Sequence, residues 1–401
     1  MAMPQVVQLP NANAGADAAK PFSPVDNEPP LRWQRALHLA PLAGLGVVRR
    51  AAFFALLGWL PIVVWAIVRD RFVDAAIGEP LLHHYGVHVR CLVAIPLLIL
   101  GEATLHVSAL RSFPQFTSSG LVDESTRPRF EAVSRTVRRW RDSSIPWLFV
   151  IGIALAWTFA AGTATHGDAM SWAVDEQGTL AFGGLWFAYV VRPVFVGLLL
   201  GWLWRIGLLA MLFVRLGRLD LSLVASHPDR AGGLGFLGKL AAAFAPVSLA
   251  LSAVLASHWA HEIVYHGQTL AALKLPAAAF VVVWSLLLLV PYAALMPLLR
   301  RAKRAALPSY AALVARQGRL VRRRWIDGAP DADAPLLEPA GVGPIADAAT
   351  MFEAVRSMRI FPIGKASLAA IVLPTAAPML VVATLQIPVR DLLLGLLKAL
   401  I

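Results

Sequence analysis

Residues 277–299, AAAFVVVWSLLLLVPYAALMPLL, run for 23 positions without a charged side chain. As a helix rising about 1.5 Å per residue, such a run crosses a hydrocarbon core of about 30 Å. Inside that core every backbone amide needs a partner from the chain itself, so only helices and closed barrels span it. Barrel strands alternate apolar and polar residues, and this run does not. Six further runs have the same character, at about 51–68, 91–110, 145–162, 184–204, 240–260 and 365–386. The expected fold is an all-α polytopic transmembrane bundle of about seven spans, with residues 31–401 forming a single transmembrane domain. Composition agrees: 58% of residues are hydrophobic and 15% charged, against about 25% charged in a soluble domain.

Positive charge orients the spans, because cytoplasmic loops are enriched in Lys and Arg. The N-terminal segment to Arg50 and the segments 111–144, 205–239 and 300–365 together hold 29 of the 36 Lys and Arg residues. This predicts cytoplasmic segments 111–144, 205–239 and 300–364, a cytoplasmic N-terminus and a C-terminus on the outer side. The net charge of +12 is then a topology signal and gives no reason to invoke nucleic acid. Residues 1–30 lack an apolar signal-peptide core and read as a disordered cytoplasmic tail. Arg205, at the end of the fourth run, is expected to snorkel to the headgroups. Amphipathic cytoplasmic helices are expected at 123–142, 308–325 and 345–360, with 326–344 as a loop. The first two carry arginines around an apolar face, which suits anionic lipid headgroups beside the bilayer. The tail PVRDLLLGLLKALI is too short to span and is placed in the outer interface. Cys91 is the only cysteine, so no intramolecular disulfide forms.

The stretch SHPDRAGGLGFLGK, residues 226–239, lies between two apolar runs. From Gly233 it reads G-x-x-x-x-G-K, but Leu240 stands where a nucleotide-binding P-loop needs Ser or Thr, and a membrane helix precedes it where a strand is required. His227-Pro228-Asp229 also occurs in the J-domain loop, without that domain's basic amphipathic flanks here. The expected structure is a tight turn. Ser226 or Asp229 would accept backbone amides, and Gly232 and Gly233 would supply positive φ. The alternative is an anion or lipid-headgroup site built on His227, Asp229 and Arg230 with exposed amides.

Three stretches together, LLILGE (97–102), HPDRAGGLGF (227–236) and MFEAVRSMRIFPI (351–363), resemble a family of bacterial multi-pass membrane proteins of unknown function. The resemblance covers most of the chain after residue 30. It implies a bacterial inner-membrane protein, in which the charge bias puts the N-terminus in the cytoplasm and the C-terminus in the periplasm, and it transfers no catalytic residue.

Glu102 and Arg192 fall near the middle of the second and fourth runs. A charge at that depth costs about 2.5–3.5 kcal/mol on insertion scales and seeks a partner inside the bundle. Both runs point the same way, so a Glu102–Arg192 pair is expected. His106 is on the Glu102 face, four residues on. The three residues would form either a proton or anion pathway or a pair that fixes helix register. Pro193 follows Arg192 directly, so a helix break and a charge coincide.

Seven of the ten histidines, His83, His84, His88, His166, His258, His261 and His266, fall in outer segments or at span ends. His258, His261 and Glu262 share one helix face, and His266 follows one turn on. Imidazoles with a carboxylate suit a divalent transition metal such as Zn²⁺, Cu²⁺ or Ni²⁺. The bland alternative is that histidine fills interface positions where topology excludes Lys and Arg. Three functional readings stand at this point. The first is transport or conduction of a small solute or ion past Glu102 and Arg192. The second is a membrane sensor or assembly factor acting through the basic helices. The third is a metal-binding membrane enzyme using the outer histidines. Oligomeric state is left open.

Overall fold

The computed structural model describes residues 22–42, 44–74, 79–160, 172–174, 179–327 and 343–386. It is a helical polytopic bundle, and seven of its helices are long and apolar enough to cross a bilayer, which makes the chain an integral membrane protein. Among the described residues there is no sheet beyond a single bridge between Val174 and Leu180. The helices are α1 (Pro29–Ala36), α2 (Val47–Val68), α3 (Tyr85–Ser118), α4 (Arg127–Asp142), α5 (Ile145–Ala160) and α6 (Phe182–Leu216). They continue with α7 (Leu237–Tyr265), α8 (Leu270–Ala293), α9 (Met296–Val321), α10 (Gly343–Arg356) and α11 (Lys365–Ala383).

Each expected span has its helix, several of them longer than the apolar run. The run at 277–299 is the exception: its helix stops at Ala293, and α9 begins separately at Met296. Pro297 at the second position of α9 lacks the N–H that would continue the preceding helix, so the break falls where the residue can do no harm. Pro96 and Pro193 act differently. Each follows a five-residue stretch of wide, π-type turn, Arg90–Ala94 in α3 and Phe187–Val191 in α6, so both helices continue through a local widening.

α7 packs along α11 and α3, α2 along α3, and α6 along α5 and α8. The faces that meet no other helix stay apolar: Phe149, Phe159, Val283 and Val381 are all exposed. A continuous apolar exterior of this kind is what hydrocarbon, not water, solvates.

The bundle has two chemically different ends. At one, α1, α4, α9, α10 and the loops 119–126 and 217–236 pack together. Arg141 donates to the Ser23 carbonyl at 2.8 Å, and Lys303 donates to those of Arg356 and Met358 at 2.8 and 2.6 Å. At the other, Arg71 bonds the Val174 carbonyl, and Tyr85 meets Tyr265 at 3.3 Å. The expected tail at 1–30 needs correction from residue 22 onward. Phe22, Ser23, Val25 and Glu28 are buried, and Phe22 packs edge-on to Phe113 at 5.0 Å. Polar composition had suggested disorder; one aromatic and one carboxylate with waiting partners outweigh it. Residues 1–21, the tail 388–401, His166 and most of the expected loop 326–344 lie outside the described residues.

Candidate functional site

The histidines at the second end converge. His261, on the inner face of α7, is buried, and its Nδ1 donates to the His83 carbonyl at 3.1 Å. That bond makes Nδ1 the donor and leaves Nε2 to hold a metal ion or a proton. Nε2 points at Glu79 Oε2, 3.5 Å away, and both atoms are buried with no hydrogen-bond partner. His266, one turn beyond, adds a third donor: one ligand atom from each of Glu79, His261 and His266 lies within 4.8 Å of the others. His84 Nε2 is 3.4 Å from the same Glu79 oxygen, and its ring stacks on His261 at 5.0 Å. Burial, with the charge of neighbouring histidines added, pushes the His84 imidazole down to about 3, so the ring is neutral. Neutral imidazoles and one carboxylate are what a borderline cation binds.

Only part of the expected metal face takes part. His261 and His266 belong to the cluster; His258 is exposed and, with Glu262, lines the neighbouring cavity instead. His258 lies about 4.5 Å back along the helix axis from His261 and Glu262 about 100° round it, so His261 meets the Glu79 loop and they do not. Glu79 and His84 complete the group. Their signal was the carboxylate lying four residues before the His83-His84 pair in one short loop.

The cavity, about 820 Å³, lies between α3, α6, α7 and α8 and reaches the cluster through His84 and His261. Arg90 and Arg192 line it, beside Phe187, Phe195, His258 and Glu262. The Arg90 guanidinium sits 5.2 Å from the Phe187 ring centre and 5.4 Å from that of Phe195; Arg192 lies over Phe187 at 6.0 Å.

The expected Glu102–Arg192 pair is therefore corrected: Arg192 belongs to the cavity and Glu102 to a separate cluster. Glu102 Oε2 accepts from Arg50 Nη2 at 2.6 Å, and Oε1 from Arg205 Nη2 at 2.9 Å. Arg205 in turn holds Glu28, Nη2 to Oε2 at 2.6 Å. Arg205 does not snorkel; it is 3% exposed, within reach of the Trp147 and Trp202 rings. Two guanidiniums and two carboxylates make a buried cluster of zero formal charge, the form in which buried charges are tolerated. Helix depth alone misjudged the partner, because Arg50 and Glu28 come from outside the apolar runs. His106 joins the N-terminal segment and not Glu102: its Nδ1 is 2.7 Å from Ser23 Oγ. The LLILGE stretch serves the cluster. Trp202 donates its indole N–H to the Leu98 carbonyl at 3.0 Å, and a Cβ on Gly101 would stand 2.7 Å from the Trp202 ring.

HPDRAGGLGF is a turn that consumes its own amides. Asp229 Oδ1 accepts from Ala231 and Gly233 at 2.7 and 3.2 Å, and Oδ2 from Gly235 at 2.7 Å. Burial alone would raise this carboxyl; the three amides outweigh it and hold it below the ordinary carboxylate range. His227 Nδ1 is 2.9 Å from Asp229 Oδ1. Arg230, Gly232 and Gly233 take φ of 56°, 65° and 97°. Three amides an external anion would use are thus taken by Asp229, which counts against the anion-site alternative. The third stretch docks on this turn: Arg359 N–H donates to the Arg230 carbonyl at 2.7 Å, and its guanidinium to that of Asp229 at 2.9 Å.

Compared with protein-family models, with curated proteins and with solved structures, the chain matches none of them.

Proposed function

We propose that this chain is a metal-dependent membrane enzyme, with a transition-metal centre on Glu79, His261 and His266 at the mouth of the Arg90–Arg192 cavity. One observation carries the reading: two buried atoms, His261 Nε2 and Glu79 Oε2, face each other at 3.5 Å with no hydrogen bond to either. A carboxylate oxygen and an imidazole nitrogen so placed draw a cation between them, a metal ion or a proton. Ligand atoms around a tetrahedral Zn²⁺ stand about 3.3 Å apart. Three protein ligands leave a fourth position for water or substrate, the arrangement of catalytic sites. His84, with its Nε2 3.4 Å from the same oxygen and its ring stacked on His261, stands beside the centre, where the partners of metal ligands lie.

The test is elemental analysis of the purified protein. Near-stoichiometric zinc, copper, nickel or iron is expected in the wild type and in His258→Ala, and is lost in His261→Ala and in Glu79→Ala. Metal-free wild type, or metal retained in both of the latter variants, sinks the reading.

The bacterial inner membrane, with the histidine end in the periplasm, belongs to the same proposal; the bias of Lys and Arg toward the opposite end supports it. So does the resemblance to bacterial membrane proteins, two of whose three stretches meet at Arg359 and Arg230. Contact of the basic helices α4 and α9 with anionic headgroups is part of this orientation. A solute path past Glu102 has less support, since both of its carboxylate oxygens are held by guanidiniums. A sensor or assembly role through the basic helices would show as a co-purifying partner lost when the arginines exposed on α4 are replaced.

A further inference from the structure

We propose that the cavity between α3, α6, α7 and α8 binds an anionic amphiphile, a phosphate- or carboxylate-headed lipid. Its headgroup lies on Arg90 and Arg192, and its hydrocarbon lies against Phe195, Leu251, Val254 and Phe280. That such a molecule binds follows from the cavity alone; that it is the substrate rests on the metal centre proposed above.

The argument begins with placement. Arg90 lies roughly 8 Å along α3 from its start, and Arg192 roughly 15 Å along α6, at 1.5 Å per residue. Both are therefore inside the spans. Both are also bound to the wide turns. Arg90 opens one, and Arg192 closes the other just before Pro193. Such turns displace the helical ladder and re-aim a side chain, and they concentrate at functional sites.

Charge comes next. Arg90, Arg192 and Glu262 are the charged side chains that line the cavity, histidines aside, so the walls carry a positive excess. Among the described residues no carboxylate forms an ion pair with Arg90, and its buried Nε has no acceptor. Phe187 and Phe195 cover the guanidinium by stacking. Stacking satisfies the faces of the guanidinium and leaves its edge donors, whose planar fork matches a phosphate or carboxylate. With both guanidiniums against the Phe187 ring, an anion in the cavity meets two like charges.

The walls decide the rest of the ligand. Beyond the arginines, Glu262 and the histidines they are aromatic and aliphatic, and a volume of about 820 Å³ exceeds what a bare phosphate fills. A free anion would leave this apolar surface without a partner. An acyl or prenyl chain supplies one, and the bilayer around the helices supplies such molecules.

Binding of dodecyl phosphate to the purified full-length protein in a non-ionic detergent tests this, with dodecanol and inorganic phosphate as parallel probes. Dodecyl phosphate is expected to bind one per chain, and Arg90→Gln and Arg192→Gln each to weaken it roughly tenfold or more, the scale of one charge-assisted contact. Val254→Phe, which narrows the cavity and keeps both arginines, should weaken it too, and it stands in if the arginine variants fail to fold. Binding unchanged in Val254→Phe or in a folded Arg90→Gln overturns the proposal. Equal uptake of dodecanol removes the headgroup's role, and equal uptake of inorganic phosphate makes this a free-anion site; either overturns it. The series is repeated after chelation. Retained binding keeps the anion on the arginines whether or not a metal centre exists; binding lost on chelation but kept in Arg90→Gln places the anion on the metal and overturns the proposal.

Discussion

At the residue scale the chain is organised by where charges are left without water. Glu102, 2% exposed, joins two guanidiniums from different parts of the sequence. Replacing it by Gln leaves Arg50 and Arg205 with only Glu28 between them. A loss of about 3–5 kcal/mol is expected from breaking such a buried pair, read as a fall in thermal midpoint; a folded, equally stable Glu102→Gln protein would contradict the cluster. Asp229 is the second such residue. Its folded carboxyl is depressed, so its contribution is present above the ordinary value of 3.8 and is lost as pH falls through the depressed folded value. Wild type should therefore lose more stability than Asp229→Asn between pH 5 and pH 3, and parallel curves would count against the turn as described. In the same turn Gly233 has φ of 97°, where a Cβ is strained, so Gly233→Ala is expected to cost about 1–2 kcal/mol by chemical unfolding.

At the scale of the element, proline placement separates helices that end from helices that widen. Pro297 marks an end; Pro96 and Pro193 follow wide turns that carry the cavity arginines. The short segment containing α1 is the other decisive element. It inserts Glu28 beside Arg205 and Ser23 beside His106, and Gln34 bonds Arg50. A chain lacking residues 1–36 should still insert in the membrane, since all seven candidate spans lie beyond that point. It should melt at lower temperature and lose the additional destabilisation expected of Arg205→Met, because the Glu28 contact is already gone. Full additivity of the truncation and Arg205→Met would mean the two do not interact.

At the scale of the molecule, the two ends do different work. One is closed by mutual hydrogen bonds of the N-terminal segment, α4, α9, α10 and the Asp229 turn. The other brings together Glu79, His261 and His266 beside an open cavity. That asymmetry predicts that metal removal by a chelator lowers the thermal midpoint and that His261→Ala abolishes this difference, while Glu102→Gln, which is far from the cluster in the fold, leaves the chelator effect in place.

The sequence by itself determined that the chain is helical and membrane-embedded, how many spans it has and which segments are basic. These follow from runs of apolar residues and from local charge, properties that neighbours along the chain already carry. Partner choice was decided only by the tertiary structure. Glu102 lies 52 positions from Arg50 and 103 from Arg205, and Glu79 is brought to His261 by a loop whose path no helical period describes. Depth in the bilayer can be counted from sequence because helical rise is constant; azimuth cannot, because it depends on which neighbour each helix packs against. For that reason Arg192 was placed at a plausible depth and given the wrong partner, and for the same reason His258 and Glu262, correctly assigned to the His261 helix, turned toward the cavity and not the cluster.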